Sequence, residues 1–224
     1  ETVDLQVDGR VLRMRVAAPK DAAPVPGILL YSDIFQLTGP MQRACQRLAG
    51  YGFVVAAPEI YHRLEPPGTA IPFDDAGRAR GLAHAALTRT AEFDADARAV
   101  LDHLAAHPAV APGCLGAGGF CIGGHLAFRA ALQPDVRATV CVYPTGLQDG
   151  RLGQEADAGS LGRAGEIRGE ILLIFGIRDP HVPEAARTKI GAALRAAGTR
   201  FEVALHDAEH AFMRDEGPRY DPEA

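Results

Sequence analysis

Little in this 224-residue chain points to a membrane, a nucleic acid or a metal. No apolar run approaches the roughly 20 residues that span a bilayer as a helix. The start, Glu1-Thr2-Val3-Asp4, does not read as a signal peptide. A formal net charge of -5 leaves no basic excess for a phosphate backbone or an anionic lipid surface, so an anionic ligand has to be met by locally placed arginines. The four cysteines, Cys45, Cys114, Cys121 and Cys141, lie far apart, with no C-x-x-C pair and no metal-ligand spacing. Free thiols in a cytoplasmic protein are the better reading. Internal repeats and low-complexity segments are also missing. The expectation is a chain that needs no metal or organic cofactor, binds neither nucleic acid nor membrane, and is a monomer or weak homo-oligomer.

What is present is enough for one hydrophobic core. With 47% hydrophobic and 23% charged residues, the composition is that of an ordinary globular chain, and residues 1–224 fit a single domain. Polar and apolar residues alternate over residues 2–7 and again over 10–16, and Asp8-Gly9 between them is a two-residue hairpin signal. After the break at Pro24-Val25-Pro26-Gly27, apolar runs at 28–31, 53–57, 115–120, 138–143, 171–176 and 201–205 read as strands. Helical patterns fall between them at 39–49, 75–87, 92–106, 126–132 and 183–197, while 59–74 and 146–169 read as loops. Buried strands alternating with helices predict an α/β fold: a mostly parallel central sheet with helices on both faces, opened by an antiparallel hairpin.

The chemistry concentrates at Gly119-Phe120-Cys121-Ile122-Gly123, where a strand runs into a helix. This is the G-x-S-x-G pattern of a nucleophile elbow with cysteine in place of serine. The flanking glycines let the turn tighten, and the free N–H groups at the helix start favour a thiolate. The structural alternative is a small core residue. Asp179 and His210 follow at later strand ends, in the order nucleophile, acid, base. A neighbouring imidazole can hold a thiolate and protonate a leaving group, and a carboxylate fixes the imidazole's tautomer. Asp179-Pro180 could instead open a turn or cap the next helix. Of the 8 histidines, His181 is the strongest rival base, being two residues beyond the proposed acid, while His103, His107 and His206 lie on or near regular elements. The oxyanion donors are expected to be the N–H of Ile122, after the nucleophile, and that of Ile34, in the loop following Tyr31.

Taken together, Ser32-Asp33-Ile34-Phe35, the Gly-Phe-Cys-Ile-Gly-Gly elbow, Asp179-Pro180-His181-Val182-Pro183 and Glu209-His210-Ala211-Phe212-Met213-Arg214 resemble the dienelactone hydrolase family of the α/β-hydrolase superfamily, over residues 27–214. The resemblance implies a Cys121-His210-Asp179 triad that opens a small anionic lactone through a thioester, as a carboxymethylenebutenolidase of aromatic degradation does. It puts a nucleophile-modulating carboxylate at Asp33, where the family has glutamate; a turn cap is the plain alternative there. It implies a substrate-carboxylate anchor at Arg214, with a second at Arg80 or Arg78, and Phe35, His84 and Tyr143 lining the pocket. Paired hydrogen bonds from a guanidinium to a carboxylate make such an anchor sensible in an acidic chain. Two other readings keep the fold: a hydrolase of a different ester or thioester, and a non-catalytic binding or thiol-sensing protein.

Overall fold

Asp8 and Gly9 both take positive φ, 51° and 73°, so the chain reverses in a two-residue turn whose twist suits a β-ribbon. The turn joins β1 (Thr2–Val7) to β2 (Arg10–Ala17) in the register Thr2↔Arg15 to Val7↔Arg10. Leu12, Met14 and Val16 face the core at every second position of β2. The structure, a computed structural model, describes residues 1–20 and 24–224.

From there strands and helices alternate: β3 (Val25–Tyr31), α1 (Gly39–Gly50), β4 (Val54–Pro58), α2 (Asp75–Leu87), α3 (Thr90–Ala106), β5 (Val110–Phe120), α4 (Ile122–Ala130), β6 (Val136–Val142), β7 (Glu170–Gly176), α5 (Glu184–Ala197) and β8 (Arg200–His206). The sheet has 8 strands in the order β1-β2-β4-β3-β5-β6-β7-β8. Within this sheet, among the described residues, only the pairings of β2 with β1 and with β4 are antiparallel. Chain order runs outward from β3 in both directions, to β4 on one side and to β5 on the other. The carboxyl ends of β3 and β5 therefore border the switch point, where open α/β sheets bind their ligands.

Apolar periodicity explains the layers. β4 is buried at all five positions, as a central strand covered on both faces should be. α3 buries Phe93, Ala97, Val100, Leu101 and Leu104, one face of a 3.6-residue period. α2 differs, burying only Gly77 and Gly81. A side chain at Gly81 would begin 2.4 Å from the Ile34 carbonyl oxygen, so this helix docks backbone-first against the loop that follows β3.

Strands β3 and β5 start well ahead of their apolar runs. The Val25 N–H donates to the Ala109 carbonyl at 2.9 Å and pairs with Val110, and Pro26 falls where the register shifts, so the missing proline N–H interrupts no regular ladder. Helix α4 begins at Ile122, ahead of its apolar period, because the elbow itself is its first turn.

At the elbow the elements touch through backbone. A Cβ on Gly123 would lie 2.2 Å from the Ser32 carbonyl oxygen. Gly123→Ala is expected to destabilise the protein by about 1–3 kcal/mol, the usual cost of forcing extra volume into a packed site. Urea unfolding should move to a lower midpoint at unchanged slope; a wild-type midpoint would mean this contact opens freely.

Candidate active site

Cys121 adopts φ 59° and ψ -122°, a conformation that costs a residue with a side chain about 1–3 kcal/mol. Its surroundings hold it there. The Cys121 N–H donates to Val142 at 3.1 Å, and its carbonyl accepts from Gly124 at 3.0 Å and Thr145 at 3.2 Å. Gly119 and Gly123 remove the clashes: a Cβ on Gly119 would lie 2.1 Å from the Gly123 oxygen. The end of β3 consequently lies directly on the first turn of α4. Among the described residues, neither the Ile122 N–H nor the Ile34 N–H donates to any acceptor. Two unpaired donors thus sit on the two segments that meet at the elbow, an arrangement suited to an oxyanion.

The acid and base meet because the loops after β7 and β8 zip together. Ile177 donates to His206 at 2.8 Å and Arg178 to Ala208 at 3.1 Å. Gly176 permits this approach, since a Cβ there would lie 2.3 Å from the Ala208 oxygen. His210 Nδ1 then donates to Asp179 Oδ2 at 2.7 Å, while Asp179 Oδ1 accepts the His181 N–H at 2.7 Å. Both side chains are buried. Burial alone would raise the Asp179 carboxyl, but His210 and the His181 N–H hold it below its ordinary value. Burial alone would lower His210; the Cys121 sulfur and the Asp179 carboxylate outweigh it and push the imidazole up to about 9. The imidazole therefore holds its proton next to the Cys121 sulfur, a pairing that suits a thiolate.

His181 offers its backbone, not its ring, to Asp179. The ring packs edge-on against His210 with centroids 4.7 Å apart, and burial and the His210 charge lower its own pKa. Tyr143 is the wall on the other side: it is buried, holds φ 37°, and its ring lies 4.9 Å from His210 and 5.5 Å from Phe212.

A small, open pocket adjoins these groups, lined by Asp33, Thr38, Met41, Phe120, Tyr143, Met213 and Arg214 among others. The Arg214 guanidinium lies over the Phe73 ring at 4.4 Å and the Phe35 ring at 5.6 Å, and 3.5 Å from Asp33 Oδ2. Such stacking fixes the plane of the guanidinium. Asp33 is a turn cap, with Oδ1 accepting the Phe35 N–H at 3.0 Å, and its Oδ2 faces Arg214. Burial pushes the Asp33 carboxyl up, with Phe35 and Arg214 opposing.

Arg80 and His84 do not join this group. Arg80 makes a fork onto Glu65, with Nε 2.5 Å from Oε1, and His84 Nε2 approaches the same oxygen at 2.5 Å. Glu65 is buried, and a buried carboxylate demands such partners. Arg78 behaves otherwise. Among the described residues it has no carboxylate within 4.0 Å, and its charge, like that of Arg219, is felt by His181. Sequence reading missed Glu65, Phe73, Thr145 and Arg219, none of which belongs to a motif. Among the described residues, no group of 3 or more His, Cys, Asp or Glu side chains is placed to hold a metal ion, and no helix is long and apolar enough to cross a membrane.

Comparison with known proteins bears on the family and the fold. The model of the dienelactone hydrolase family matches residues 12–224. A Saccharomyces cerevisiae protein provisionally named carboxymethylenebutenolidase is 39% identical over 216 residues, which span 93% of this chain and 79% of that protein. The carboxymethylenebutenolidase of a Pseudomonas species is 29% identical over 201 residues, 89% of this chain and 79% of its own. A crystal structure from Klebsiella pneumoniae, provisionally titled a dienelactone hydrolase, superposes with a TM-score of 0.83 at 24% identity, covering 100% of this chain and 91% of that one. The last likeness speaks for the fold.

The raised imidazole links stability to pH. Folded His210 holds its proton up to about 9, whereas an unfolded histidine loses it near ~6.5. The stabilisation tied to that proton is complete below ~6.5 and disappears as pH rises to about 9. NMR of the His210 ring should titrate near 9 in the native protein and at lower pH in Asp179→Asn. An unmoved midpoint would remove the carboxylate as a cause.

Proposed function

This chain belongs to the dienelactone hydrolase family and is a hydrolase of ester-type bonds; we propose that it uses Cys121, His210 and Asp179 to open a small lactone bearing a carboxylate. The observation that carries this reading is the buried His210–Asp179 bond at 2.7 Å with an imidazole raised by the adjacent Cys121 sulfur. Arg214, on the wall of the adjoining pocket, supports the carboxylate part of it.

In this reading the Cys121 sulfur attacks the lactone carbonyl carbon. The new C–S bond pushes the carbonyl electron pair onto oxygen, where the Ile122 and Ile34 N–H groups receive it. Collapse of this intermediate restores the carbonyl and breaks the ring C–O bond. The departing oxygen, an enolate in the dienelactone type of substrate, takes the proton from the His210 imidazolium. Neutral His210 then removes a proton from water, which attacks the thioester. A second collapse expels the thiolate beside the re-formed imidazolium, and the product acid ionises. Asp179 keeps Nδ1 protonated so that Nε2 carries the transferred proton in each half. Arg214 holds the substrate carboxylate, and Asp33, which faces the same guanidinium, tunes the nucleophile through that shared cation. The free thiols at Cys45, Cys114, Cys121 and Cys141 fit a cytoplasmic location.

A second reading changes only the substrate, to an ester without a carboxylate. The pairing of Arg80 with Glu65 favours it, because one arginine rather than two then faces the pocket. The similar solved structure of a dienelactone hydrolase-like promiscuous phosphotriesterase from metagenomic libraries, with a TM-score of 0.76 at 23% identity, illustrates how far this fold stretches.

Cys121→Ala should abolish turnover of lactone and thioester substrates, and incubation of the native protein with a chromogenic ester should leave an acyl mass adduct on Cys121. Full turnover by the alanine variant would falsify the mechanism; reversible oxidation of Cys121 without acylation would point to a thiol sensor. Arg214→Ala should raise KM about 10–100-fold for a carboxylate-bearing ester, the worth of a charged hydrogen bond, and hardly change it for a neutral one. Equal effects on both substrates would favour the second reading.

A further inference from the structure

A second buried histidine lies one helical turn beyond the elbow. His125 is fully buried on α4, and its Nε2 lies 2.7 Å from Ser160 Oγ. Arg129 Nη1 donates to that same oxygen at 3.0 Å and to the Ala158 carbonyl at 2.9 Å. Its Nε and Nη2 fork onto Asp94 at 2.8 and 2.6 Å. A carbonyl can only accept, so His125 Nδ1, 3.3 Å from the Thr145 carbonyl, carries the ring proton. His125 Nε2 is then an acceptor, and Ser160, which accepts from Arg129, donates to it. Burial and the Arg129 charge push His125 down to about 3, so it stays neutral, and this one tautomer persists, at any working pH.

Thr145 closes the chain onto the nucleophile. Its N–H donates to the Cys121 carbonyl at 3.2 Å, and its Oγ1 lies 3.6 Å from Cys121 Sγ. Among the described residues the hydroxyl has no other partner. The segment has little freedom to leave this position. A Cβ on Gly124 would lie 3.1 Å from Pro144, and Tyr143 holds a positive φ of 37° while donating to Ile174 at 2.7 Å. The same sulfur helps to raise the His210 imidazole. A hydroxyl donating to the sulfur favours the anion that attacks over the thiol that does not.

We propose that Thr145 is a catalytic residue of this site, its hydroxyl donating to the Cys121 sulfur and holding it for attack, and that His125 is the positioning residue that sets Thr145. The proposal rests on Cys121 being the nucleophile. Before acylation the hydroxyl hydrogen lies on the thiolate. Once the sulfur is in a thioester it carries no charge and the bond weakens. When the thiolate leaves, the bond re-forms, so the interaction is strongest where the sulfur bears charge. No atom is transferred. His125 never changes protonation in this scheme and acts only through the loop it holds.

The test compares Thr145→Val, which removes the hydroxyl at nearly constant shape, with Thr145→Ser, which keeps it. The rate at which iodoacetamide labels the Cys121 peptide, followed by mass spectrometry at neutral pH, reports the attacking sulfur directly. Valine should slow labelling and ester acylation roughly three- to tenfold, as expected for loss of a hydrogen bond to a charged group weakened by sulfur, and serine should restore both. His125→Gln should slow labelling in the native background and add nothing in the Thr145→Val background, because a positioning effect needs its target. Additive losses would remove His125 from the scheme; should that variant fail to fold, the valine–serine pair decides the hydroxyl's role alone. Wild-type labelling and acylation in Thr145→Val, in a protein that Cys121→Ala inactivates, would overturn the proposal and leave the nucleophile standing. Activity surviving Cys121→Ala would instead defeat the reading beneath it.

Discussion

The site depends on a steric constraint before it depends on any charge: three backbone segments meet at the elbow with no room for side chains between them. Gly123 lies against the Tyr31 and Ser32 carbonyls, Gly119 against Gly123, and Gly124 against Val142 and Pro144. A methyl group at any of these positions would part β3, α4 or the end of β6. Their contact brings together the residues of three strand ends: the Ile34 loop, Cys121 and the Thr145 loop. The strained φ of Cys121 follows from the same crowding and is held by the hydrogen bonds at both of its peptide groups. A looser elbow would relax the cysteine and separate the two unpaired N–H groups together.

Charge is arranged on this frame so that two buried histidines play opposite parts. His210 has a carboxylate on one nitrogen and sulfur near the other, and its pKa rises to about 9. His125 has a serine hydroxyl, a carbonyl and an arginine nearby, and its pKa falls to about 3. Burial pushes both downward; the sign of the neighbouring charge decides which one keeps a proton. The first can move a proton and the second can only orient. Elsewhere, Arg129 pairs with Asp94, and Glu65 with Arg80 and His84.

Periodicity made most of the architecture legible. The hairpin, the parallel strands and the five helices follow from alternation, apolar runs and glycine stops, and the errors lie at ends, as at Val25 and Ile122, where neighbouring backbone rather than side-chain pattern sets the boundary. Cys121, Asp179 and His210 were visible because a motif and a chain order name them. Glu65 was not: it lies in a proline-rich loop without a period, and its partners on α2 come from another part of the chain. Thr145 was hidden for a similar reason, since nothing local distinguishes a threonine that faces a sulfur 24 positions earlier. Motifs encode what a single turn must do, whereas these contacts arise only when separate turns are brought together.

The anion end of the site shows what such a contact changes. Of the arginines offered by resemblance, Arg214 stands at the pocket wall, while Glu65 occupies Arg80 and Arg78 lies outside that lining. Arg214 already faces Asp33, and two phenylalanine rings flank it. In the proposed reading, an arriving carboxylate shares that guanidinium with a carboxylate of the protein, and the like charges raise the proton affinity of the half-buried Asp33 further. Asp33 is one methylene shorter than the family's glutamate, so its reach is smaller, and the Phe35 N–H pins one of its oxygens. The effect of substrate on this residue is thus better carried by field than by contact. In that reading, a carboxylate that gains a proton in place while Arg214 serves the substrate would leave the pocket with one fewer negative group. The short side chain would then tie the charge of the pocket to the charge of its ligand.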